Sequence, residues 1–217
     1  MSNEVNHDSV IVKEGIPFVI PPGAAAIIAY LAGFLWVSGL LFLSTLFVLW
    51  FFRNPERNAP VNPAQLISPA DGKVIRIEEA PGGGVSDPPS LKISIFMNVF
   101  NVHVNRIPCS GRVISIRYSP GKFLSANLDK ASELNEKNTL LIRRDDGREI
   151  VVVQIAGLIA RRIVCWINED MKVKKGERFG LIRFGSRVEV LLPPGSTPLV
   201  KIGDKVRAGE TPIGELT

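Results

Sequence analysis

Cysteine and histidine are the scarce residues of this chain. Its 217 residues hold two cysteines, Cys109 and Cys165, and two histidines, His7 and His103. Two cysteines exclude a disulfide-dense secreted scaffold. They show no CxxC or CxxCH spacing, and so few histidines nearly exclude a Cys/His zinc site, so no metal is expected. Charge is scarce in one place. Positions 24–52 carry none, and positions 1–52 hold one base, Lys13, against Glu4, Asp8 and Glu14. The remainder therefore holds 25 of the 26 basic residues and 18 of the 21 acidic ones, a net of +7. A hydrophobic share of 46% and a charged share of 22% exclude a disordered chain. The length leaves room for one domain plus an appendage.

The uncharged run would be about 43 Å long as one helix, against a bilayer core of about 30 Å. It is expected to span with tilt or a bend near Gly33, Ser38 and Gly39, or to dip in and return as a helical hairpin. A cleaved signal peptide fits poorly, because there is no basic n-region, the stretch is too long and no small-x-small site comes after it. Trp50, Phe51, Phe52 and Arg53 form an aromatic and basic edge like those at bilayer interfaces. Arg53 and Arg57 come directly after the run, and the positive-inside rule puts the C-terminal domain on the cytoplasmic side of the cell membrane. The expected organisation is a tail at 1–23, a membrane segment at 24–52 and a β-rich domain at 53–217. The surplus of positive charge would face anionic lipid. No recognition-helix pattern, RNA-binding aromatic motif or zinc finger is present, so nucleic acid is not an expected partner.

From residue 60 the chain reads as short strands: GKVIRIE, LKISIFM, GRVISIRY, TLLIRR, REIVVVQIA, RIVCWI, FGLIRF and RVEVLLP. Pro, Gly, Asn and Asp punctuate them. This predicts a mainly β domain, sandwich or barrel-like. Positions 123–138 read as a non-strand insertion and 81–89 as a surface loop. Residues 173–179 echo residues 200–206 as V-x-x-G-[DE]-x-V, a strand, a glycine turn and a strand, as in lipoyl- and biotinyl-type hammerheads. Ser68-Pro-Ala-Asp-Gly-Lys-Val74 resembles the opening strand of barrel-sandwich-hybrid domains. These echoes argue for fold alone. Lys172 abuts the first turn, which is the wrong spacing for a carrier lysine.

Three segments stand out for chemistry: Ser68-Pro-Ala-Asp-Gly72, Asn101-Val-His-Val-Asn-Arg-Ile-Pro108 and Arg183-Phe-Gly-Ser-Arg-Val-Glu189. Each alone is ordinary, since an Asp before Gly usually makes a turn and a lone His is usually structural. Together they supply Asp71, His103 and Ser186, the set that can activate a hydroxyl nucleophile. There is no G-x-S-x-G elbow. Ser186 instead follows Gly185, whose freedom of backbone geometry suits attack by the hydroxyl on its own preceding carbonyl.

With these segments the chain resembles the phosphatidylserine decarboxylases, in their short form. SPADGKV, FNVHVNRIP, YSPGKF…NEKN and GLIRFGSRVEV carry the resemblance, which covers nearly the whole chain. It implies a proenzyme that cuts itself between Gly185 and Ser186 into a β chain (1–185) and an α chain (186–217). Ser186 would become a covalent pyruvoyl group, the only cofactor implied. That group would form a Schiff base with the amine of phosphatidylserine and release phosphatidylethanolamine and CO2 at the membrane. Partners implied are the phospholipid, the membrane and the chain's own two fragments; a homo-oligomer is compatible with the sequence. His103 would move the proton in cleavage and in decarboxylation, and Asp71 would orient it.

The larger bacterial form carries two histidines in a segment like YHRVHMP. Aligned on the proline, His103 matches the first and Arg106 stands at the second. Gly185-Ser186-Arg187 replaces Gly-Ser-Thr. Either His103 serves both steps or Arg106 or another group assists. The competing reading is a non-enzymatic membrane-anchored adaptor with a hammerhead domain, which would leave Asp71, His103 and Gly185-Ser186 as coincidence and lacks the usual long heptads.

Overall fold

The computed structural model describes residues 9–80, 90–125, 134–158, 162–183 and 186–216. The expected loop at 81–89, part of the 123–138 insertion, His7 and Gly185 lie outside these. The chain divides into two compact units, Met1–Glu56 and Arg57–Thr217.

The first unit is a helical hairpin. A short 3-10 turn (Lys13–Gly15) leads into α1 (Ile16–Leu31), and α2 (Leu35–Phe51) returns. The reversal falls at Gly33, whose φ of +83° lies in the left-handed region that favours glycine. The Ser38 hydroxyl donates to the Ala26 carbonyl at 2.8 Å and ties the arms together. Helix α1 starts upstream of position 24 and runs through Pro21 and Pro22. Each of these interior prolines lacks the N–H that would bond the carbonyl four residues back, so the helix runs through with two bonds unmade.

The second unit is mainly β. In chain order its strands are β1 (Gln65–Ile67), β2 (Gly72–Ala80), β3 (Ser90–Met97), β4 (Val104–Arg106), β5 (Gly111–Ser119), β6 (Lys137–Arg143) and β7 (Glu149–Ala156). After these come β8 (Ile163–Cys165), β9 (Lys172–Val173), β10 (Arg178–Ile182), β11 (Ser186–Leu192), β12 (Thr197–Pro198), β13 (Lys205–Val206) and β14 (Pro212–Glu215). Eight form one curled sheet in the order β13-β2-β3-β11-β7-β6-β5-β9. Two three-stranded sheets, β1-β14-β12 and β4-β10-β8, complete the unit. Alternation puts Val74, Ile95, Ile142, Ile150, Val152, Val188 and Val190 on the sheet's core face, all fully buried.

The large sheet is an internal duplicate. Lys73 faces Phe96 and Val74 faces Ile95, then a bulge intervenes before Arg76 opposite Ser94. Arg112 faces Arg143 and Val113 faces Ile142, then a bulge intervenes before Ser115 opposite Leu141. The edge strands repeat too: Val206 pairs with Gly72, and Val173 pairs with Gly111. Gly203 N–H donates to the Val74 carbonyl and Asp170 N–H to the Val113 carbonyl, each at 2.8 Å. Gly203 and Asp170 both have positive φ. The halves meet between β7 and β11, with the Val152–Val190 pair at the centre. A Cβ on Gly72 would collide with the Phe96 carbonyl oxygen, and one on Gly111 with that of Arg143, so each half needs its glycine.

This pairing corrects the register of the echo. Val206, not Val200, is the counterpart of Val173, so Lys172-Val-Lys-Lys-Gly-Glu177 matches Lys205-Val-Arg-Ala-Gly-Glu210. Strand pairing to Gly72 and Gly111 sets that register. The V-x-x-G pattern recurs six residues earlier in the second copy and misleads.

Candidate active site

Ser186 opens β11. It sits between Met97, the last residue of β3, and Ala156, the last of β7. It is fully buried, and its hydroxyl donates to the Met97 thioether at 3.3 Å, a weak acceptor. The carbonyl it is expected to attack belongs to Gly185, outside the described residues.

Asn105 joins the three expected segments. Alternation in β4 sends Asn105 to one side and Val104 and Arg106 to the other. The Asn105 amide nitrogen reaches the Pro69 carbonyl at 3.4 Å and the Met97 sulfur at 3.8 Å. Its amide oxygen accepts from Gln154 Nε2 at 2.8 Å, and Gln154 Oε1 accepts from Asn138 Nδ2 at 3.0 Å. The relay Asn138–Gln154–Asn105 thus ends on the sulfur that also receives the Ser186 hydroxyl. The Pro69 carbonyl can only accept, so the Asn105 nitrogen faces it, and that orients Gln154 and Asn138 in turn. All three amides are buried, and a buried amide is costly unless bonded. At the equivalent places in the other half Leu91 pairs with Leu192, so the sheet itself does not call for amides.

His103 is 2% exposed. Its Nδ1 lies 3.0 Å from the Asn101 carbonyl. A carbonyl only accepts, so in the neutral ring Nδ1 carries the hydrogen and Nε2 the lone pair. The His103 backbone carbonyl accepts from Ile182 N–H at 3.4 Å, which joins its segment to the strand leading toward Ser186.

The Asp71 carboxylate is also buried. It accepts the Ala208 N–H at 2.7 Å and pairs with Arg57 at 3.1 Å; Arg57 also reaches Glu210 at 2.9 Å. Among the described residues Asp71 does not bond His103, and the Ser186 hydroxyl does not bond His103. The three expected residues therefore share a neighbourhood of bonded segments but are not linked as a hydrogen-bond chain.

Arg106, at the place of the second histidine, turns away from Asn105. Its guanidinium donates to the Gly176 carbonyl at 2.7 Å, and its side chain packs over Gly209. Arg187, beside Ser186, points to the opposite sheet face and pairs with Glu189 at 3.2 Å. Burial lowers the Arg187 pKa, and the Glu189 charge opposes that shift. Burial pushes the Cys109 thiol up to about 12, so it is no thiolate nucleophile at neutral pH.

Met97, Asn105, Gln154, Asn138 and Arg57 are the site neighbours that motif reading misses. Gln154 does carry a signal, as the lone amide in the apolar run IVVVQIA. Arg57 carries none, since its partner lies fourteen residues away.

The family profile described as phosphatidylserine decarboxylase matches residues 44–214. Three similar proteins bear the name phosphatidylserine decarboxylase proenzyme. That of Syntrophus aciditrophicus is 57% identical, covering 97% of this chain and 99% of the relative. That of Desulfotalea psychrophila is 48% identical, covering 95% and 96%. That of Rickettsia typhi is 47% identical, covering 95% and 90%. With its site segments meeting around a buried Ser186, this chain belongs to the phosphatidylserine decarboxylase family.

Proposed function

We propose that the chain is a proenzyme that cuts itself between Gly185 and Ser186 and then decarboxylates phosphatidylserine to phosphatidylethanolamine at a membrane surface. The supporting observation is the meeting of SPADG, NVHVNRIP and the start of β11 around one buried hydroxyl, in a chain of this family.

The Ser186 hydroxyl gives its proton to His103 Nε2, and Oγ adds to the Gly185 carbonyl carbon. The C–N bond breaks, the nitrogen takes the proton, and an ester joins the two residues. His103 then removes the Ser186 α-proton. The Cβ–Oγ bond breaks, which frees the Gly185 carboxylate and leaves dehydroalanine. Addition of water and loss of ammonia leave a pyruvoyl group at the head of the α chain. Position 186 suits that group, because the site of the lost hydroxyl faces an apolar thioether. The group supplies an electron sink by taking the substrate amine as a Schiff base.

His103 holds the proton that the product's α-carbon receives. Asp71 supplies the buried negative charge that favours the charged imidazole. Catalytic hydrogen bonds often tighten only as reaction proceeds, and a contact between them during turnover is part of the proposal. Asn105 is a positioning residue: the Gln154 donor holds its amide nitrogen toward Met97 and the Ser186 side chain.

The substrate is costly to extract from a bilayer, at about 0.8 kcal/mol per CH₂. The apolar hairpin keeps the enzyme where the substrate is. Arg53 and Arg57, directly after the hairpin, support a cytoplasmic position for the catalytic unit.

Phosphatidylserine in mixed micelles, supplied with cyanoborohydride, tests the reaction. The α chain is expected to gain a reduced amine adduct while CO2 is released. CO2 release without an adduct, or no release by cut enzyme, overturns the proposal.

A further inference from the structure

The base of the hairpin holds its two ends together. Val12 N–H donates to the Phe52 carbonyl at 3.1 Å, and Asn54 N–H to the Val10 carbonyl at 2.7 Å. The Asn54 side chain donates to the Ser9 carbonyl at 2.9 Å. Entering and leaving chain are thus zipped together. Lys13, Glu14 and Arg53 lie at this base, and no charged residue lies between positions 15 and 52. Arg53 stacks over the Trp50 ring at 4.1 Å, a pairing suited to a headgroup layer.

The other end is built for hydrocarbon. The N–H groups of Ala32, Gly33, Phe34 and Leu35 donate within the turn at 2.9–3.0 Å. The hydroxyls of Ser38, Ser44 and Thr45 donate to carbonyls of the hairpin. In lipid each such group must find its partner internally. Trp36, 93% exposed, and Leu31, Phe34 and Leu35 cover the tip with apolar surface. The arms have 16 and 17 residues, about 24–26 Å each, slightly less than a bilayer core of about 30 Å.

We propose that the hairpin enters the lipid bilayer tip first from one side and that both of its ends remain on that side, the cytoplasmic one. The inference rests on the proposed membrane attachment of this family member. It excludes a single crossing, which would put the chain's beginning and its catalytic unit on opposite sides.

The test uses the full chain with one epitope at each terminus, in spheroplasts and in sealed inverted vesicles, after flotation with membranes. Both epitopes are expected to be lost to protease in inverted vesicles and retained in spheroplasts. Loss of the amino-terminal epitope in spheroplasts alone overturns the same-side inference and leaves the membrane attachment standing. A chain that stays behind on flotation overturns both.

Discussion

The two halves of the large sheet are built alike and used differently. In one half Asp71 precedes Gly72 and accepts the Ala208 N–H; in the other Ser110 precedes Gly111, and its hydroxyl accepts the Lys175 N–H at 3.0 Å. A neutral hydroxyl is therefore enough to hold this turn. The charge on Asp71, paired with Arg57, exceeds what the turn needs. The sheet ends differ in the same sense. Strands β6 and β7 are closed by a tight turn at 144–148, with Arg144 N–H on the Arg148 carbonyl. The equivalent end of the first half is where β3 stops at Met97 and β11 starts at Ser186. The proposed cleavage site occupies the place where the other copy simply turns the chain.

The largest effect is expected at that open end. Ser186→Ala removes the nucleophile, so the chain stays uncut and decarboxylation falls to background. Denaturing electrophoresis checks the cut, and normal processing of this variant would refute the site.

Asp71→Ser transplants the other half's residue. The Ala208 cap survives, but Arg57 keeps only Glu210 as its ion-pair partner, so the cost stays below the about 3–5 kcal/mol of a wholly unpaired buried charge. Adding Arg57→Met should recover most of the melting temperature and none of the cleavage rate. Cleavage restored along with stability would show that Asp71 is structural.

Asn138→Leu with Gln154→Leu copies the Leu91–Leu192 pair. Removing both partners of a bond is nearly neutral, whereas the stranded Asn105 oxygen costs about 1–3 kcal/mol. Self-cleavage is expected to slow about tenfold, roughly 1.4 kcal/mol in barrier. Gln154→Glu, which cannot donate when ionised, should slow it as well. An unchanged rate at lowered stability would leave the relay a packing device.

The smallest effect belongs to the closed end. Burial works against ionisation of Asp146, but hydrogen bonds from Arg148 and Arg144 outweigh it and hold the pKa at about 2. A depressed carboxylate contributes stability above its unfolded pKa, about 3.9, and loses it as pH falls toward 2. Asp146→Asn should flatten the stability profile between pH 4 and 2 and leave cleavage at neutral pH unchanged. Acid titration of the melting temperature checks this.

Much of the fold is legible in the residues. Alternation marks the strands of the large sheet, and Gly33 marks the reversal of the hairpin. The register of the duplication is not legible, because V-x-x-G recurs within the second copy and pairing to Gly72 chooses between the two. The start of α1 is not legible, because Pro21 and Pro22 lie inside the helix, where proline ordinarily breaks it. Of the site, Ser186, His103 and Asp71 stand out by residue type and neighbours. Arg57 and Asn138 do not, since a partner brought close by folding leaves no local pattern.

The central claim is a self-made pyruvoyl group at Ser186, and the intact mass of the purified chain under denaturing conditions tests it most directly. Two fragments are expected, 1–185 and 186–217, the smaller lighter than simple hydrolysis requires by the mass of ammonia. An active preparation of uncut chain, or a small fragment at the full hydrolysis mass, would contradict the account.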